Sequence, residues 1–311
     1  MRELGRVKKF LPLIIVLLVF LTLGVTFLSR SPVLIVTDPS FNLMYGIQRQ
    51  RMKVIKASTQ LFRRVVPVLV DERVGPDLVV LVVEEASRSP WAVLFPHRYL
   101  EGAQFYKNSH PEVPVLVMEG RSPKPRASVP AETQLIFFDM DTAGDLYRAG
   151  LCAAVITGDA KRVLFFSDEP LPNFYREAFR AGLRDLGFLG DPIYVSASSL
   201  DSSSYSDVGC AVVTGPAARF LERNQNIPMI LFSWIDPALT PRTVKILFDD
   251  SPLALAVRVL KALPGSTGDI LVSSQPMLFL DRIEEKKDFR ALQGILKGNF
   301  QKNSEKTGPE S

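Results

Sequence analysis

Short runs of Val, Ile, Leu and Phe recur along this chain, and most are followed by a stretch whose apolar residues fall three and four apart. The runs are continuous rather than alternating, the pattern of strands buried on both faces, as in a parallel sheet covered by helices. Strands are predicted at residues 33–36, 53–57, 78–83, 115–118, 135–138, 163–166, 193–195, 211–213, 229–232, 244–248 and 270–272. The clearest helix is 173–186, where Phe174, Ala178, Ala181, Leu183 and Leu186 form an apolar stripe and Arg176, Glu177, Arg180 and Arg184 a solvated one, with Gly187 as a stop. Residues 141–156 and 252–263 read the same way, the latter opening on Pro252 and closing before Pro264-Gly265. So many strands overfill one ordinary sheet. The pattern therefore predicts an α/β fold of two successive doubly wound parallel-sheet lobes after the N-terminal segment.

That segment has a pattern of its own. Residues 10–28 carry no charge and are preceded by Arg2, Arg6, Lys8 and Lys9. A helix of about 20 apolar residues spans a bilayer, and a cationic flank stays on the cytoplasmic side, so residues 10–28 are expected to be a single-pass anchor in the cell inner membrane with the folded part outside. Thr22 and Gly24 are small enough for signal cleavage, which would release the protein into the periplasm. The apolar run continues through Phe27 and Leu28, however, which favours a retained span. No cysteine lies near its end to carry a lipid.

Composition narrows the function. With 47% hydrophobic and 23% charged residues the exported part is globular, and a formal charge of +4 without a basic stripe gives no support to nucleic-acid binding. Only Cys152 and Cys210 occur, both in apolar stretches: buried free thiols are expected, with pairing left open. His97 and His110 are the two histidines, too few for a multi-histidine metal site, and neither phosphate-cradling glycine motif is present. From Glu284 onward the chain is charged; a short helix at 289–296 is expected, then a partly disordered tail.

Ligands of doubly wound sheets collect at the carboxyl ends of the strands. The residues just after the predicted strands are polar and often acidic: Asp38 and Phe41, Glu84, Arg121, Asp139, Asp168, Thr214, Trp234 and Asp236, and Asp249. Asp141 and Ser251 occupy positions suited to helix N-caps.

Several segments resemble the type I periplasmic binding proteins and the effector-binding domain of the lactose-repressor family. The opening Val33-Leu-Ile-Val-Thr-Asp-Pro-Ser-Phe41 is similar to their first strand and Asn-Pro-Phe-Phe loop, with Asp38 in place of the amide. Val113-Pro-Val-Leu-Val-Met-Glu-Gly-Arg121 resembles a strand ending in an acidic-basic pair, here split by Gly120. Phe138-Asp-Met-Asp-Thr-Ala-Gly144 with the Arg148-Ala-Gly helix resembles the crossover into the second lobe. The block with Phe166-Ser-Asp and Phe179-Arg-Ala-Gly-Leu looks like an Arg-rich unit of that lobe, and residues 227–236 and 243–252 like the last strands and return helix. At 213–216 the chain reads Val-Thr-Gly-Pro where the family commonly has Asn-Asp.

Charge and hydropathy give a basic flank at 1–9, the anchor at 10–28 and a tail from 283 to 311; the resemblance implies an N-terminal lobe of 32–140 plus 250–267 and a C-terminal lobe of 141–249 plus 268–282. It implies a small polar ligand, a sugar, nucleoside or amino-acid-like molecule, captured between hinged lobes, with an ATP-driven (ABC) permease as partner. Phe41, Trp91 and Trp234 would stack on a ring; Asp38, Asp139, Asp168, Asp236 and Asp249 would accept hydrogen bonds; Arg121 and Arg176 would pair with a carboxylate. No catalytic residue, metal or cofactor is expected. Two alternatives stand beside this reading: an envelope sensor or interaction protein on the same fold with a degenerate cleft, and a haloacid-type phosphohydrolase using Asp139-Met-Asp141 and Lys161. The latter requires that neither aspartate be committed to capping a helix.

Overall fold

The computed structural model describes residues 2–39, 47–71, 73–118, 134–158, 162–167, 170–196, 205, 207–214, 224, 226–232, 240–262, 270–284 and 286–298, with side chains of the first two helices described from residues 14 and 51. The chain divides into two units, 1–139 with 256–270, and 140–255 with 271–311.

The first sheet comprises β1 (Val33–Thr37), β2 (Val65–Leu69), β3 (Ala92–Pro96), β4 (Val115–Met118), β5 (Ile136–Met140) and β11 (Ile270–Val272), in the order β11-β5-β4-β3-β1-β2. Its pairings from β2 through β5 are parallel. Helix α1 (Arg2–Ser29) leads into β1, and α2 (Ile47–Leu61), α3 (Pro76–Ala86) and α4 (Leu100–Ser109) make the crossovers. Val36, Val93, Phe95, Val115 and Val117 project from one face into a core shared with Val79 and Val83 of α3 and with Ala103 and Tyr106 of α4.

The second sheet comprises β6 (Arg162–Ser167), β7 (Ile193–Ser196), β8 (Val208–Thr214), β9 (Met229–Phe232), β10 (Val244–Asp249) and β12 (Gln275–Leu278), in the order β12-β10-β9-β8-β6-β7. It is parallel except for β12, which pairs antiparallel with β10. Successive residues feed opposite cores, as continuous apolar runs require. Val163, Phe165, Cys210, Val212, Ile230 and Phe248 face α5 (Thr142–Thr157), α6 (Asn173–Asp185) and α8 (Lys286–Leu296). Leu164, Phe166, Ala211, Val213 and Leu231 face the other way. Phe165 meets Phe179 of α6 edge-on at 5.0 Å, a geometry that adds about 1 kcal/mol to area burial. Helix α7 (Pro252–Ala262) is capped by Ser251, whose hydroxyl accepts from the Ala254 N–H at 3.3 Å.

Two glycines set how closely α5 and α6 pack. A Cβ at Gly150 would lie 2.3 Å from the Phe179 carbonyl oxygen, and one at Gly182 2.1 Å from that of Tyr147. The Ala-Gly steps at 149–150 and 181–182 therefore have a packing cause: backbone meets backbone where a side chain would stand. Both cysteines are buried free thiols, and burial pushes each well above its ordinary titration range.

Nine of the eleven expected strands are present, and two are helices instead. Residues 53–57 lie in α2, and residues 78–83 in α3, where Val79 and Val83 are buried one turn apart while Leu78 and Leu81 are exposed. A short Val-rich run satisfies both periods, and Pro76 at the first helical turn decided for helix. Three strands were not anticipated. Pro67 masked β2, which tolerates it as an edge strand; Pro90 and Pro96 bracketed β3; and β12 is a short edge. The expected helix at 289–296 is the greater part of α8, anchored by Leu292 and Ile295. Among the described residues no helix is long and apolar enough to cross a membrane.

Candidate functional site

In the first unit, β1 and β3 are parallel neighbours, so their carboxyl ends emerge side by side. Asp38 follows β1, and Arg98 lies in the single 3-10 turn (His97–Tyr99) that follows β3. Their side chains meet with Arg98 Nη2 2.7 Å from Asp38 Oδ2; the aspartate side chain is 8% exposed and the arginine 39%. The surrounding edge is stitched together: the Thr37 hydroxyl donates to Val68 O at 3.3 Å, the Val70 N–H to Thr37 O at 2.8 Å, and the Tyr99 hydroxyl to Val70 O at 3.2 Å. The Arg98 guanidinium lies over the Tyr99 ring, 5.2 Å from its centroid. A buried carboxylate is thus held beside a cation whose outer face reaches solvent, an arrangement able to offer an acceptor and a donor to one polar ligand. Arg98 was invisible in the sequence because β3 itself was not recognised; the residue after a Pro-bounded apolar run is the signal that would have found it. Asp139, in β5 of the same sheet, is half-buried.

In the second unit, Asp249 closes β10, and its carboxylate accepts from the Ser251 N–H at 3.2 Å. Thr214 closes β8, its hydroxyl donating to Phe166 O at 3.2 Å. Nearby chemistry is dominated by a residue that sequence reasoning passed over. Asp145, in the first turn of α5, is fully buried and accepts from the Ser274 N–H at 2.7 Å, the Ser274 hydroxyl and the Arg148 guanidinium. Arg148 also donates to Ser274 O at 3.3 Å and lies 5.5 Å above the Phe248 ring. Burial raises the Asp145 pKa, opposed by the two bonds from Ser274 and by Arg148. This network ties α5 to the segment between β11 and β12. Asp141 caps the same helix, accepting from the Gly144 N–H at 2.9 Å and, more weakly, from the Ser273 hydroxyl at 3.4 Å. The carboxylate that a phosphohydrolase would direct at a metal is committed to a cap, and among the described residues no group of three or more His, Cys, Asp or Glu is placed to hold an ion.

Of the remaining expected residues, Glu84, Trp91 and Arg176 are described, and none of the three sits at the carboxyl end of a strand. Glu84 belongs to helix α3, 3.6 Å from His110 Nε2, because its run is not a strand. Trp91 precedes β3 at the amino-terminal edge, where its N–H donates to Pro32 O and Arg63 covers its ring at 4.6 Å. Arg176 lies on α6 with its guanidinium over Tyr194 of β7, 4.9 Å from the ring centroid, and Arg180 lies 5.6 Å from the same ring. Phe41, Arg121, Asp168, Trp234 and Asp236 lie outside the described residues.

No family model and no curated protein matches the chain by sequence. Solved structures do match by shape. A transcriptional activator of the comK gene from Bacillus halodurans superposes with a TM-score of 0.61 at 13% identity, over 87% of this chain and 99% of that one. An ABC-transporter solute-binding protein from Conexibacter woesei gives 0.53 at 11% identity over 88% and 98%. A periplasmic solute-binding protein of an ABC transporter from Actinobacillus succinogenes, crystallised with D-allose, gives 0.52 at 12% identity over 84% and 100%. The chain has the type I periplasmic-binding-protein-like fold.

Proposed function

We propose that this is a membrane-anchored, extracytoplasmic solute-binding protein that takes a small polar ligand at the carboxyl ends of its strands and serves an ATP-driven importer. The observation that carries the reading is the Asp38–Arg98 pair: an acid and a base, set on rigid strand ends, with the arginine still partly open to solvent. Such a pair orients hydroxyl-rich or zwitterionic molecules, a sugar, nucleoside or amino-acid-like solute. Asp139, near the same end of β5 in the same sheet, adds an acceptor. That a neighbour of the same fold was crystallised with D-allose supports the choice of a polyhydroxylated solute.

Anchoring is supported by α1. It contains residues 10–28, the uncharged run expected to span a bilayer. From Ile14 to Leu28 every apolar side chain except Phe27 is exposed, which water penalises and lipid does not. Residues 10–28 would then hold the binding units beside a permease.

A second reading, an envelope sensor or interaction protein with a reduced cleft, draws on the same pair: Asp38 already has a cationic partner, so an internal ion pair stands where a ligand would be. The deciding experiment is mass spectrometry of small molecules released from the purified full chain, followed by heat-stability titration with the solute found. A solute that co-purifies and is lost in the Asp38→Ala variant supports the receptor. An empty protein, unshifted by sugars, nucleosides and amino acids, leaves the interaction reading in possession.

A further inference from the structure

We propose that the amino-terminal edge of the first unit, where α1 runs into β1, is a seat for anionic phospholipid headgroups. The inference rests on the anchor reading above and adds to it a specific surface, one that holds the unit against the bilayer. Arg30 directly follows the last residue of α1, and its guanidinium lies 4.8 Å from the centroid of the Phe62 ring. Phe27, in the last turn of α1, meets the same ring edge-on at 5.9 Å. Phe62 itself has φ +50°, the left-handed region that a bulky aromatic residue seldom occupies. A conformation of that kind persists only where its surroundings dictate it, and here a ring from α1 and a guanidinium from the linker grip the side chain. The anchor therefore meets the unit through packed contacts and not through a slack tether.

The next residues extend the seat. Arg63 donates to Ser31 O at 3.2 Å and covers Trp91 at 4.6 Å, and Arg64 is exposed beside it. Burial and the nearby Arg30 charge both lower the Arg63 pKa, a sign of crowded positive charge. Among the described residues none of Arg30, Arg63 and Arg64 is paired with a carboxylate. Three guanidiniums without internal counterions, interleaved with aromatic rings at the exit of an apolar helix, match a layer of lipid phosphates. Arginine's planar fork binds phosphate oxygens in pairs, and tryptophan partitions to headgroup depth.

The test uses the full chain carrying Trp234→Phe, which leaves Trp91 as the sole tryptophan reporter. It is reconstituted in phosphatidylcholine vesicles with or without phosphatidylglycerol, containing lipids with a nitroxide on the headgroup or deep in the acyl chain. Headgroup nitroxide is expected to quench Trp91 severalfold more than acyl nitroxide. Phosphatidylglycerol should increase that quenching, and the increase should vanish in Arg30→Glu/Arg64→Glu, whose circular dichroism stays unchanged. A chain that floats with the vesicles but shows no headgroup quenching, or quenching indifferent to phosphatidylglycerol and to charge reversal, overturns the seat and leaves the anchor standing. A chain that does not float overturns the anchor and the seat together.

Discussion

Two buried aspartates, one in each unit, have similar partners and opposite character. Asp145 is sealed from solvent and receives the Ser274 N–H, the Ser274 hydroxyl and Arg148, so its acceptor capacity is used inside the fold. Asp38 is almost as buried, yet its arginine is 39% exposed and reaches it from a surface turn. If Asp38 holds solute as proposed, the contrast separates architecture from function more clearly than acidity or burial alone. An acid held by a fully buried serine and by an arginine only 19% exposed cannot exchange them without loss of structure, whereas one facing a cation that is 39% exposed can exchange that partner for a ligand.

The comparison predicts a graded set of outcomes. Asp145→Ala should have the largest effect, lowering the unfolding free energy of the second unit by about 3 kcal/mol in denaturant titrations, because Arg148 is left uncompensated. The apolar replacement of both partners, Asp145→Leu with Arg148→Met, should recover at least half of that loss; a double variant no better than the single one would break the comparison. Ser274→Ala removes one of the two serine bonds and should cost about 1 kcal/mol. Asp38→Asn should cost less than about 1 kcal/mol, since its partner is solvent-screened, while the fraction of protein retaining co-purified solute falls at least tenfold. If Asp38→Asn destabilises as much as Asp145→Ala, the two sites are of one kind.

The smallest effect is one of pH. Burial raises the Asp145 pKa above its ordinary carboxylate value, so in the interval between the two the native state holds a proton that the unfolded chain has released. Stability from this group is therefore full below the unfolded value and declines as pH rises through the folded one. Asp145→Asn should flatten that part of the stability profile, measured as the wild-type-minus-variant difference across mildly acidic pH; a difference that grows with pH would mean the folded pKa is lowered instead.

Much of the second unit was legible along the chain because its strands are long apolar runs between well-punctuated helices. The α6 helix, with one apolar stripe and Gly187 at its end, and the Asp141 cap could be read directly. The first unit was harder. Residues 78–83 of its α3 helix are all Val and Leu, so no period distinguished them from a strand, and its β2 and β3 strands contain or adjoin proline. For the same reason Glu84 reads as a strand-end residue in the sequence and Arg98 does not.

Local patterning thus determined the class of fold, the helix caps, the burial of the cysteines and Asp38 as a strand-end acid, because each depends on residues near in sequence or on burial alone; that the two thiols stay unpaired was decided by the tertiary structure. Tertiary structure decided which charges meet. Arg98 reaches Asp38 because β1 and β3 are neighbours with β2 outside them, and Asp145 finds Ser274 from more than a hundred positions away. Strand order is a property of the whole sheet, with no local signal in the chain, and partner choice follows strand order.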